Sequence, residues 1–526
     1  MLAALSGVLQ VLAFPSPALD FLCWFALAPL MLAILGPLAR GGPQLVDEKG
    51  SPLGVMTTGQ GFWLGYCAGV IWYAGTCFWI YHVMHVYGGL NAPVSAGILV
   101  LFCLYLGLYH GLFGALLAKS AHGATGSKRA ILVAPFLWVA VELARARITG
   151  FPWDLLGTAQ VDNIPLARIA RLTGVYGVSF GIMLVNAAFA ATFLLPPHRR
   201  RTLLVASVLA VGVLQAGVLV APPPAVATHN ARLIQQNIAL DTRWDVENFR
   251  ATLAELRTLS VRPESSPRRA SLVIWPESPA PFYLSDPIFR EELTGLARDA
   301  HAHVIAGSLG TPAMDEPRGR LYNSAALITP DGEWTKRYDK IHLVPFGEYV
   351  PFKSLFAFAE KLTREVGDFT PGTERTVFDA GGQKVGVFIC YESVFPDEIR
   401  QFAAHGAQVF VNISNDGWFG DYGAPWQHLN MARMRAIENE RWVLRATNTG
   451  ITASIDPNGR VVARLPRNAR AALDAPYAPV EGTTFYTRHG DWFAWACVII
   501  SLLALFLRGN LRIGMIRSGA HGSNMR

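Results

Sequence analysis

Residues 385–392 read Val-Gly-Val-Phe-Ile-Cys-Tyr-Glu, an apolar run that ends in a thiol, a phenol and a carboxylate. A short run rich in β-branched and aromatic residues is typical of a buried strand. Similar runs recur in the surrounding chain, at 233–236, 271–275, 303–306, 325–329, 408–413, 442–446 and 452–455. Helical patterns lie between several of them, at 246–259, 288–299, 396–404 and 427–441. Strands interleaved with helices over about 250 residues predict an α/β layered domain.

Three reactive side chains stand at or near the ends of such runs: Glu277, Lys340 and Cys390. Sites are commonly built where strands end at one edge of an α/β sheet. Of the six cysteines, Cys390 alone lies in this part of the chain, so it is either a small buried core residue or a reactive thiol. Glu277 and Lys340 likewise fit either solvated loop positions or a site, and no spacing rule links the three.

The segments on either side of this domain are apolar. The 526 residues are 52% hydrophobic and 16% charged, whereas soluble domains carry about 25% charged residues. A membrane-spanning helix needs roughly 20 apolar residues. The candidate spans, about eight in number, are 2–15, 18–38, 60–82, 92–118, 130–144, 168–195, 202–222 and 491–508.

Basic residues in the short loops predict the orientation, with the amino terminus and the loops after the second, fourth and sixth spans in the cytosol. The net charge of +7 is therefore explained by membrane topology, and nucleic-acid binding is not expected. Four arginines, at 145, 147, 168 and 171, would lie outside; they either snorkel to headgroups or hold an anionic headgroup. The predicted division is 1–226 (seven spans), 227–485 (an outward-facing domain) and 486–526 (the last span and a cytoplasmic tail).

Longer motifs carry a resemblance to known proteins. The phrases Trp275-Pro276-Glu277, Tyr338-x-Lys340-x-His342-Leu343 and Cys390-Tyr391-Glu392 resemble the three signatures of the nitrilase superfamily. The runs 340–351, 414–419 and 426–435, with Gly150-Phe151-Pro152-Trp153, resemble the apolipoprotein N-acyltransferase family of that superfamily. The resemblance spans essentially the whole chain. It implies a polytopic α-helical membrane domain joined to a nitrilase-like α-β-β-α sandwich.

The resemblance also implies a reaction and roles for particular residues. Cys390 is expected to be the nucleophile that forms an acyl thioester, Glu277 the general base and Lys340 the oxyanion-stabilising cation. Glu348, Tyr391, Glu392 and Trp244 match further positions of the family that support catalysis or bind substrate. Trp244 fits a packed core residue equally well, and the segment 352–359 fits either an arm over the site or an ordinary amphipathic helix.

The partners and location implied by the resemblance are those of a bacterial inner-membrane enzyme with a periplasmic catalytic domain. A phospholipid would donate the acyl chain, and a diacylglyceryl-modified apolipoprotein would accept it. A monomer without metal or cofactor is expected. Three alternatives remain open from the residues: a membrane-bound nitrilase-type amidase, an acyltransferase with another amine acceptor, and a transporter or scaffold with an inert outer domain.

Overall fold

The computed structural model describes residues 1–39, 56–122, 126–194, 197–220, 222–263, 268–277, 280–311, 320–349 and 369–506. Within these ranges, the first part of the chain forms apolar helices, and so does the segment at its end. Twelve strands with their covering helices lie between them. The predicted cytoplasmic tail and the segment 352–359 fall outside the described residues.

Twelve strands form two six-stranded sheets, in the orders β12-β1-β2-β3-β4-β5 and β11-β10-β9-β8-β7-β6. In each sheet the three central strands run parallel and the outer strands pair antiparallel. The strands are β1 His229–Gln235, β2 Leu272–Ile274, β3 His303–Gly310, β4 Tyr322–Ile328, β5 Trp334–Asp339, β6 Val377–Ala380, β7 Gln383–Ile389, β8 Val409–Ser414, β9 Trp442–Thr447, β10 Ala453–Ile455, β11 Val461–Arg464 and β12 Ala471–Tyr477.

The two sheets pack face to face through one apolar core. Leu233, Ile305 and Leu327 of the first sheet share this core with Val387 and Val411 of the second. Helices cover the outer faces, which gives the α-β-β-α sandwich expected from the resemblance. All eight predicted strands and all four predicted helices of this part are present. The covering helices are α11 Val246–Val261, α12 Pro287–Ala300, α13 Pro396–Ala404 and α14 Ala424–Asn439.

The remaining helices are predominantly apolar. They are α1 Leu2–Ala13, α2 Ala28–Ala39, α3 Thr58–Thr76, α4 Trp79–His82, α5 Ala92–Ser120, α6 Gly126–Ala144, α7 Ile164–Ala167, α8 Ala170–Thr173, α9 Val175–Leu194, α10 Pro197–Gln215, α15 Phe485–His489 and α16 Trp492–Phe506. Close packing of α3 on α5 depends on glycine, since a Cβ on Gly65 would lie 2.1 Å from the His110 carbonyl oxygen.

When helices are judged by their length and apolar composition, fewer membrane crossings are found than the sequence predicted. Among the described residues, three helices are long and apolar enough to cross a bilayer: 92–120, 175–194 and 200–218. A fourth span results if 58–76 and 79–87, bent by 53°, are counted together. The segments 2–13, 20–36 and 492–506 are shorter apolar helices. The predicted count of about eight spans is therefore not confirmed.

Helix α14 joins the sandwich to the apolar helices. Leu429 and Ala436 pack against the core between the sheets, while Met431, Met434 and Ile437 pack into the core of the apolar helices. Burial on both sides removes apolar surface of the helix from water. The two parts of the chain therefore share a packed layer.

Two of the four arginines that did not fit the orientation lie in this junction. Arg147 forms ion pairs with Asp397 at 2.9 Å and with Asp491. Arg171 pairs with Glu440 at 2.7 Å and donates a hydrogen bond to Asn458. Neither alternative proposed from the sequence includes these pairs, which tie the apolar helices to the sandwich.

Candidate active site

A buried lysine lies between two carboxylates where β5 ends. The Nζ atom of Lys340 lies 2.9 Å from Oε1 of Glu348 and 3.4 Å from Oε1 of Glu277. Asn323 of β4 donates hydrogen bonds of 2.8 Å to the same two oxygens. Burial lowers the pKa of Lys340, but Glu348 and Glu277 raise it above the ordinary value. The lysine is therefore an ammonium held between two acidic side chains.

Backbone donors fix both carboxylates. The N–H of Asn415, after β8, donates to Oε2 of Glu277 at 2.8 Å. The N–H of Val344 donates to Oε2 of Glu348 at 2.8 Å. Each carboxylate thus has one oxygen on the cation and one on the backbone. This pattern holds both side chains in a single orientation.

Cys390 follows β7 in a sharp turn. Its φ of +50° lies in the left-handed region, which for a residue with a side chain costs of order 1–3 kcal/mol. The thiol is buried, and burial raises its pKa; Glu277 raises it further and Lys340 lowers it. The resting thiol is therefore protonated, because the cation alone does not offset burial.

Glu392 connects the turn at Cys390 to the loop that carries Lys340. Its Oε2 accepts the Ile389 N–H at 2.7 Å. Its Oε1 accepts the Tyr338 hydroxyl at 2.6 Å and the Ile341 and His342 N–H groups at 2.7 and 3.2 Å. Burial raises the pKa of this carboxyl, and the bond from Tyr338 is the largest opposing influence. Glu392 thus positions the loop without being one of the three reactive groups.

His428 on α14 was interpreted from the sequence as structural, and its contacts show a closer relation to the site. Its Nε2 lies 3.0 Å from the carbonyl oxygen of Cys390, and its Nδ1 lies 3.0 Å from Oδ1 of Asp416. Arg445 donates to Asp416 at 2.7 Å. Burial alone would raise the pKa of Asp416, but Arg445 and His428 lower it. Burial and Arg445 lower the pKa of His428.

The motif Gly150–Trp153 reaches the site from the apolar helices. The hydroxyl of Tyr391 donates to the Gly150 carbonyl at 3.1 Å. The Trp153 ring stacks on His428, with ring centroids 5.9 Å apart and planes at 21°. Trp153 also donates from Nε1 to Gln427 at 2.8 Å. The apolar part of the chain therefore contacts Tyr391, which follows Cys390, and His428, which hydrogen-bonds to the Cys390 carbonyl oxygen.

Of the seven residues predicted for the site, six lie in or beside this cluster. The seventh, Trp244, is half-buried and packs against the apolar core under α11 and α12. Asn323 was missed, since an asparagine within a strand carries no sequence signal of its own. No group of three metal-ligating side chains occurs in the part of the chain that the structure describes.

Comparison with known proteins places this geometry in a family. The family model described as "Apolipoprotein N-acyltransferase N-terminal domain" matches residues 6–188, and that described as "Carbon-nitrogen hydrolase" matches 230–478. The apolipoprotein N-acyltransferase of Geobacter metallireducens is 39% identical over 95% of this chain and 93% of its own length. The chain belongs to the apolipoprotein N-acyltransferase family. The member from Methylococcus capsulatus is 36% identical over 89% and 90% of the two chains.

A solved structure similar to this family member is the amidase from Nesterenkonia sp. AN1. It is 20% identical, with a TM-score of 0.36, and the match covers 50% of this chain and 96% of the amidase. Membership of the apolipoprotein N-acyltransferase family confirms the resemblance and establishes the chain as an acyltransferase of the nitrilase superfamily.

Proposed function

We propose that the protein transfers a fatty acyl chain from a phospholipid to the α-amino group of an apolipoprotein's N-terminal S-diacylglyceryl cysteine. The observation that carries this proposal is a buried thiol beside an acid and an ammonium, in a domain packed on apolar helices. A phospholipid leaves a bilayer reluctantly, since each buried CH₂ holds it by about 0.8 kcal/mol. A site on the membrane surface meets its donor there.

The first half-reaction forms a thioester. The sulfur of Cys390 attacks the ester carbonyl while Glu277 takes the thiol proton. Lys340 and the Tyr391 N–H stabilise the oxyanion, and one such donor typically contributes about 3–4 kcal/mol. The ester C–O bond then breaks, and Glu277 returns its proton to the departing lysophospholipid oxygen. A thiol that is neutral at rest suits this order, because it ionises only when the electrophile is in place.

The second half-reaction consumes the thioester. The neutral amine attacks the thioester carbonyl, and Glu277 takes one N–H proton. The C–S bond breaks, the sulfur regains the proton from Glu277, and the amide product leaves. The reaction needs no nucleotide, since an amide is more stable than the starting ester. Glu348 supports Lys340 throughout, and Glu392 keeps its loop in register with the nucleophile.

We propose that 1–226 contains seven spans of a bacterial inner membrane, that 486–526 contains the eighth span and a cytoplasmic tail, and that 227–485 lies in the periplasm, in a monomer. The short apolar helices at 2–13 and 492–506 would cross only with support from their neighbours. A hydrolase of small soluble amides would not need the apolar helices that pack on the sandwich. An amidase reaction is therefore the second candidate.

The test is covalent labelling. Purified protein in detergent is incubated with a phospholipid that carries a radioactive acyl chain, and protein-bound label is measured before and after hydroxylamine treatment. We expect a hydroxylamine-sensitive adduct in the wild type and none in Cys390→Ala. Cys67→Ala is the matched control, because Cys67 is an exposed thiol on α3 and should leave labelling unchanged. Label retained in Cys390→Ala, or an adduct that a lipoprotein amine cannot discharge, would contradict the proposal.

A further inference from the structure

His428 makes its contact with the nucleophile through the backbone. Its Nε2 lies 3.0 Å from the carbonyl oxygen of Cys390, and a carbonyl only accepts, so Nε2 carries a proton and donates it. The ring is fully buried, so it does not exchange this partner for solvent. The bond therefore restrains one peptide unit, the one between Cys390 and Tyr391.

In the proposed reaction, that peptide unit also contains the N–H assigned to the oxyanion. In a planar trans peptide the carbonyl and the N–H point in opposite directions. Fixing the oxygen of Cys390 therefore fixes the direction of the Tyr391 N–H. The left-handed φ of Cys390 makes this restraint necessary, because a strained turn relaxes unless its surroundings hold it.

The imidazole is itself held from the opposite side. With the ring proton on Nε2, Nδ1 accepts a hydrogen bond from Arg445, 3.0 Å away. Arg445 is in turn held by Asp416, which accepts from it at 2.7 Å and accepts the Ser414 hydroxyl at 2.8 Å. The histidine, the aspartate and the arginine are each fully enclosed by protein. The Trp153 ring, in a loop of the apolar part of the chain, stacks on one face of the imidazole.

We propose that His428 is a positioning residue, which aims the Tyr391 N–H at the oxyanion, and that Trp153 transmits contact with the membrane part to it. This inference rests on the proposed acyl transfer and adds a residue that the reaction scheme does not otherwise use. The membrane part then has a second task besides holding lipid, because its Trp153 supports the histidine that holds the turn at Cys390.

The test is a matched pair of variants read by single-turnover kinetics. His428→Gln retains an N–H donor at the position of Nε2, and His428→Met has a similar length without a donor. Each purified variant is mixed with excess labelled phospholipid, and the adduct is followed to its plateau. The plateau measures the fraction of folded enzyme, and the rate constant measures how well each folded molecule reacts.

We expect His428→Met to form the adduct about 10- to 100-fold more slowly at an unchanged plateau, since losing one aligned oxyanion donor typically slows a reaction by about 10²- to 10³-fold. His428→Gln should stay within about fivefold of the wild type. Equal rate constants in both variants and the wild type would overturn the inference. So would equal slowing of both variants, or a lowered plateau with a normal rate constant. A wild type that forms no adduct would instead remove the proposed function.

A double-mutant cycle tests the contribution of Trp153. Trp153→Leu removes the ring stacked on His428, whereas Trp153→Phe keeps an aromatic face. We expect Trp153→Leu to slow adduct formation in the wild type and to add little in His428→Met, since both changes act through one imidazole. Full additivity of the two rate effects would overturn the claim that the membrane ring acts through His428.

Discussion

Replacing Lys340 with Met should destabilise the fold as well as stop the reaction. The lysine side chain is 1% exposed and is the cation within 3.4 Å of both Glu277 and Glu348. Removing one partner of a buried ion pair typically costs about 3–5 kcal/mol. For a domain of this size each kcal/mol corresponds to about 2–4 °C, so the melting temperature should fall by about 6–20 °C.

The double variant Lys340→Met with Glu348→Gln separates stability from catalysis. It removes one of the two uncompensated carboxylates, so it should recover at least half of the lost stability. Its thioester formation should remain at least about 10²-fold below that of the wild type, because the oxyanion still lacks its ammonium.

Differential scanning fluorimetry in detergent measures the first effect, and the labelled-phospholipid assay measures the second. Lys340→Arg serves as the charge-retaining control and should melt closer to the wild type than Lys340→Met does. A Lys340→Met protein that melts within about 2 °C of the wild type would refute the reasoning. A double variant less stable than the single variant would do the same.

Three further changes test other parts of the structure. Glu392→Gln exchanges one charge-assisted acceptor for an amide and should slow single-turnover thioester formation by about 10- to 100-fold, since such a bond is worth about 1.5–3 kcal/mol. Arg147→Met breaks a partly exposed pair with Asp397 and also leaves the buried Asp491 without this partner. Hydrogen exchange in 396–404 should therefore accelerate by more than the about fivefold expected for one surface pair worth about 1 kcal/mol. Burial raises the pKa of Glu438 to about 7, so wild-type stability should fall as pH rises from 5 to 8, whereas Glu438→Gln should show a flat profile in denaturant titrations.

Much of the sandwich could be predicted because its central strands are continuous apolar runs. The strands around Val387 and Val411 are buried on both faces, and such strands stand out by composition alone. Missed strands lie at sheet edges. β12 contains Pro476, a residue tolerated at an edge, and β5 carries exposed Lys336 on its surface. Edge strands mix polar and apolar residues and so lack a clear signal.

The site was predictable only through motifs. No period or spacing places Glu277 beside Lys340, because their contact depends on β2 and β5 reaching the same end of one sheet. Asn323 and the role of His428 were not found, since their importance comes from hydrogen bonds to residues distant in the sequence. For the membrane helices, the sequence shows where apolar segments lie. Whether a short segment crosses the bilayer also depends on neighbouring helices, which composition does not specify.

The first and last strands of the sandwich run side by side, with His229 paired to Tyr477. The polypeptide therefore enters and leaves this domain at adjacent positions. Helix α16 can then return to pack against α6 as if the intervening residues were absent. The sandwich is thus inserted as one domain between helices of the apolar bundle. Changes in the length of its loops do not alter the spacing between the chain's entry and exit points.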